Sequence, residues 1–94
     1  MNRAVILDTA KTYCTADRAA THGAAEDSFQ AIGGAWEWWD SVRKPGPYNA
    51  YDVACMMVLF KLARMAGNPG HIDSAIDAAA YAALAGEIAT GATE

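Results

Sequence analysis

At 94 residues the chain is one domain, 1–94, with 53% hydrophobic residues. A chain of this length buries only about 60–65% of its unfolded surface when it folds alone, so much apolar surface is left for a partner copy and a homo-oligomer is expected. The formal charge of −4 comes with no basic stripe, which argues against binding to a long nucleic acid. No window reaches the roughly 18 uncharged apolar residues of a membrane span, and Val5-Ile6-Leu7 is far too short for a signal segment, so a soluble cytoplasmic protein is expected.

Three turn signals divide the chain: Thr21-His22-Gly23, Lys44-Pro45-Gly46-Pro47 and Gly67-Asn68-Pro69-Gly70. Residues 2–17 are predicted helical, with Ile6, Ala10, Tyr13 and Cys14 on one face. A second helix over 26–42 places Phe29, Ile32, Trp36 and Trp39 along one stripe. Gly33-Gly34 interrupts it at about 1 kcal/mol per glycine, and close approach by another helix is the expected compensation. A third helix, 50–66, is apolar in almost every direction, which places it centrally or in an interface. The fourth, 73–89, is rich in alanine. The expected fold is all-α, a compact four-helix bundle with up-and-down connections. Cys14 and Cys55 lie in apolar helical patterns without metal-ligand spacing and read as reduced core residues.

Polar residues inserted into the apolar second half mark the candidate site. Lys61 and Arg64 are three residues apart, about 60° around the helix. They suit a small phosphate, and equally the negative end of the helix dipole. Asp73, Asp77 and Tyr81 recur every four residues. Two carboxylates one turn apart can hold a divalent cation whose shell is completed by water and substrate phosphate. Against that, Asp73 or Ser74 is a natural N-cap, and Ser74-x-x-Asp77 approximates a capping box. Asp52 opens the third helix and has a first-turn role as its simplest account. Arg18, His22 and Glu26 surround the first turn and Asn68 and His71 the third. Glu37-x-x-Asp40 reads as a solvated face flanking Trp38 and Trp39.

Asp17-Arg18, His22-Gly23 with Glu26-Asp27 and Phe29, Ala35-Trp36, Asp52-Val53, Met56-Met57, Lys61-Leu62-Ala63-Arg64, Asp73, Asp77 and Tyr81-Ala82 resemble, in order and spacing, a small family of phage and prophage proteins that carries a domain of unknown function. That family looks distantly similar to the MazG-like all-α nucleotide pyrophosphohydrolases. The MazG-like pattern is E-x-x-E followed one helix later by E-x-x-D. Here Asp52 stands alone at the first pair and Asp73-x-x-x-Asp77 replaces the second.

The resemblance implies a protein of the host cytoplasm that acts on or binds a nucleoside triphosphate. Mg²⁺-dependent release of pyrophosphate is the enzymatic form of that reading. Asp77 and Tyr81 are then the catalytic candidates, and Asp73, Asp77 and Asp52 the metal ligands. Lys61, Arg64 and Arg18 are the phosphate ligands, with His22, Glu26 and Asn68 in supporting places. Two alternatives stay open: a nucleotide or cyclic-nucleotide-signal binder without turnover, and a structural helical oligomer that binds another protein.

Overall fold

The computed structural model describes residues 1–17 and 25–91. Among these residues four helices follow one another: α1, Arg3–Thr12, continued by one π-helical turn at Tyr13–Asp17; α2, Ala25–Val42; α3, Ala50–Gly67; and α4, Ile72–Thr90. Among the described residues there is no strand, and the fold is all-α as the periodicity predicts. No helix of the described residues is long and apolar enough to cross a membrane.

The ends follow local chemistry. Asn49 caps α3: its side chain accepts from the Asp52 backbone N–H at 2.9 Å, while Asp52 Oδ2 accepts from the Asn49 N–H at 3.1 Å, a reciprocal capping box. Gly46, at φ +136°, lets the Pro-Gly-Pro turn reverse the chain where a side chain is disfavoured. Helix α4 is capped at His71, whose side chain makes no capping bond. Asp73 therefore lies inside the first turn and Ser74 is buried, with its Oγ 3.3 Å from His71 Nδ1. The capping box suggested by Ser74-x-x-Asp77 is not formed, because the N-cap is His71, three residues before Ser74.

Helix α3 organises the rest. Trp39 of α2 and Arg43 just beyond it bind Asp52 of α3, and Trp36 Nε1 donates to the Met56 carbonyl at 3.3 Å. On α4, Asp77 binds Lys61. Asp52 and Lys61 are nine residues apart, which at about 100° per residue is half a turn. Hence α2 and α4 sit on opposite sides of α3, and the α3–α4 interface is the more extensive. Pairings of late α2 with early α3, and of late α3 with early α4, show both hairpins to be antiparallel.

This layered packing leaves a small core of Ile32, Ala54, Ala78 and Ala85. Three expectations change accordingly. Of the second-helix stripe only Ile32 is buried, while Phe29 and Trp36 remain exposed. The predicted core face of α1 is exposed throughout, Cys14 included, since α1 buries none of its residues. Among the described residues no neighbour approaches Gly33 or Gly34: a Cβ at either meets nothing within 4 Å.

Candidate functional site

Between α2 and α3, on one open face of the layer, lies a groove of about 450 Å³ lined by Phe29, Ile32, Gly33, Trp36, Met57 and Phe60. It is within the usual size range of small-molecule pockets, roughly 300–1,000 Å³, and it is aromatic. Phe60 carries the polar edge. Lys61 Nζ lies 5.1 Å from the ring centroid and the Arg64 guanidinium 4.6 Å, so the two cations flank a ring that also lines the groove. Lys61 Nζ is bound to Asp77 Oδ2 at 3.0 Å, with the lysine side chain 13% exposed and the aspartate 48%. The aspartate side chain is therefore half-exposed while the lysine side chain is mostly enclosed. Asp73, exposed, and Tyr81, half-buried, lie one turn to either side of Asp77 on α4.

A second, more polar groove adjoins the first through Phe29 and Gly33 and is bordered by Glu26, Gln30, Gly34 and Glu37. Glu26, expected near the first turn, thus flanks the aromatic groove from the α2 side. Asn68 closes α3: its N–H donates to the Arg64 carbonyl and its own carbonyl accepts from His71 N–H. Arg18 and His22 fall outside the described residues.

Asp52 lies elsewhere. It is nine residues, about 13 Å along the helix axis, from Lys61. Only 5% exposed, it accepts from Arg43 Nε at 3.0 Å and from Trp39 Nε1 at 3.1 Å on Oδ1. Its Oδ2 accepts from Arg43 Nη2 at 2.8 Å and from the Asn49 N–H. Arg43 continues to the carbonyls of Gly46 and Pro47, both at 3.0 Å, and stacks 4.4 Å over Tyr48, whose hydroxyl donates to Asp40. The Arg43 fork, with the Asn49 and Trp39 donors, holds the Asp52 carboxyl well below the ordinary carboxylate range. These bonds assign Asp52 to the α2–α3 junction, not to a metal shared with Asp73 and Asp77. Among the described residues no three His, Cys, Asp or Glu side chains converge as a metal site.

Two candidate residues are not marked out by the sequence pattern. Phe60 looked like one more apolar residue of α3, although its place directly before Lys61 was a usable signal. Arg43 was hidden beside a turn read only for its Pro and Gly.

Residues 5–89 match the family model described as Domain of unknown function (DUF6378), and the chain belongs to that family. It is similar to the Gene 55 protein of Mycobacterium phage L5, 33% identical over 79 residues, which cover 84% of this chain and 49% of that protein. The chain thus spans about half the length of the curated relative it matches. No solved structure matches it.

Proposed function

We propose that this DUF6378 domain of phage type binds a nucleotide: the base stacks in the Phe29–Trp36–Phe60 groove and the phosphates lie against Lys61 and Arg64. The observation that carries the reading is the Phe60 ring, which lines the apolar groove and carries both cations within about 5 Å of its centre. An aromatic slot continuous with a two-cation edge matches the two halves of a nucleotide, an apolar base and an anionic tail. A tail of two or three phosphates is favoured over one, because Lys61 and Arg64 lie on successive turns of α3.

The Mg²⁺-dependent release of pyrophosphate suggested by the MazG-like resemblance is the catalytic extension of the same site. Asp77 and Asp73, one turn apart, would hold the ion only together with phosphate oxygens, since Mg²⁺ takes one or two carboxylates and completes its shell with water and phosphate. With one of those carboxylates already on Lys61 and no third acid beside them among the described residues, binding is the better-supported half of the proposal.

The test is calorimetric titration of the purified chain with nucleoside triphosphates, with and without Mg²⁺, alongside an assay for released pyrophosphate. Lys61→Ala and Arg64→Ala are expected to weaken binding about tenfold or more each, the scale of a lost charge-assisted hydrogen bond. Failure of every nucleoside triphosphate to bind at millimolar concentration would sink the proposal. Turnover that Asp77→Asn abolishes would extend it to the enzymatic form.

A further inference from the structure

The opposite face of the layer differs in chemistry. Tyr51 and Phe60 are nine residues apart, so they too point in opposite directions from α3. On the Tyr51 side a groove of about 440 Å³ crosses α3 from α2 to α4, and none of the described residues that line it is charged. Trp38 and Tyr51, 56% and 40% exposed, form its bulky rim, and Val58 and Leu59 its floor. Ala82 and Gly86 leave a shallow trough along α4. Large aromatics beside a small-residue trough make a self-complementary surface. An uncharged patch with Trp and Tyr has the composition of an interface centre.

The exposed area supports an occupant of this size. The chain exposes 6774 Å². A folded monomer of 9.9 kDa is expected to expose about 5,200 Å², so the excess is about 1,600 Å². Obligate homodimers bury roughly 1,000–2,500 Å² per copy, and the excess falls within that range. Part of it belongs to α1; α2, α3 and α4 themselves form a single helical layer, whereas stable domains pair two layers around their core.

We infer that a second copy of this chain covers the Tyr51 face in an isologous homodimer, with Trp38 and Tyr51 of each copy seated in the Ala82–Gly86 trough of the other. The assembly supplies the missing layer and leaves the Phe60 groove and its cations facing outward.

Sedimentation equilibrium of the purified chain over a concentration series should give twice the 9.9 kDa chain mass. Gly86→Arg isolates the interface, because a Cβ at Gly86 meets nothing within 4 Å and arginine is the better helix former. This variant should be a helical monomer by sedimentation and circular dichroism, and Gly86→Ala should remain dimeric. Cys55 lines the groove and Cys14 is exposed on α1. In the unmutated protein, Cys55 alkylation should therefore accelerate severalfold on dilution through dissociation while Cys14 keeps its rate. A monomer at every concentration overturns the inference and assigns the groove to another segment or protein. So does a dimer that persists in Gly86→Arg, or a Cys55 rate unchanged across dissociation.

Discussion

Replacing Gly33 and Gly34 by alanine separates stability from binding. Both glycines lie inside α2 without positive φ, and a Cβ at either meets nothing within 4 Å, so alanine enters without strain. In a helix interior glycine is less favourable than alanine by about 0.8–1 kcal/mol. Each single substitution should therefore add close to 1 kcal/mol, and the pair about 2 kcal/mol, because the two methyls point about 100° apart and share no neighbour. For a domain of this size 1 kcal/mol corresponds to about 4–8 °C in Tm, readable by scanning calorimetry. The binding consequences differ. Gly33 lines the aromatic groove and Gly34 borders only the polar one. Gly33→Ala should stabilise the protein and weaken nucleotide binding, whereas Gly34→Ala should stabilise it with affinity unchanged. A lower Tm in either variant would show that something packs on these glycines and refute the open-groove geometry. Equal affinities in the two variants would refute the placement of the base.

Asn49→Ala removes the acceptor that closes the α3 capping box and should cost about 1 kcal/mol, seen as a lower Tm with the helical spectrum retained. Asp52 has a folded pKa depressed below its ordinary 3.8, so its contribution is complete above that value and is lost as pH falls through the lower folded value. Thermal melts from neutral to strongly acid pH should show this loss in the unmutated protein and a flatter profile in Asp52→Asn; parallel profiles would contradict the clamp. Asp77→Asn opens a half-exposed pair and should cost less than about 1 kcal/mol of stability. Without Mg²⁺ it should bind nucleotide more tightly, because Lys61 loses a competing carboxylate. If Asp77 holds the metal, the same variant should bind more weakly once Mg²⁺ is added, and titrations in both buffers separate the two roles.

The helices were legible because their signals are local: apolar spacing for α2 and α3, and Pro-Gly and Asn-Pro-Gly turns for their ends. The start of α4 departs from its local pattern because Asp73 and Ser74 carry capping chemistry that His71 lacks, yet His71 takes the position. Lys61 and Asp77 could each be picked out as polar insertions, but their 3.0 Å contact depends on the register of an antiparallel hairpin, which periodicity does not set. The Arg43–Asp52 clamp was illegible for a similar reason. Its partners lie on either side of the Pro-Gly-Pro turn, and only the folded turn brings the guanidinium onto the carboxylate. For α3, a helix apolar all round announced that it is central, without saying which of its faces other helices cover.

That last distinction determines what each open face can take up. Covering Arg64 and the Lys61–Asp77 pair with an apolar surface would remove water from charged groups, a cost of several kcal/mol per ion. An anion replaces that hydration with charge-assisted bonds, so the Phe60 face suits a phosphate. The Tyr51 face offers an anion no cation among the described residues that line its groove, and it gains instead by excluding water from Trp38, Tyr51, Val58 and Leu59. The two occupants therefore do not compete, and they respond to different perturbations. Added salt should weaken nucleotide binding by screening the cations, yet leave dimerisation unchanged or strengthen it. Gly86→Arg should break the dimer without altering the Phe60 groove, and Lys61→Ala should do the reverse. A single variant of either kind that abolished both properties would mean that the two faces are not independent.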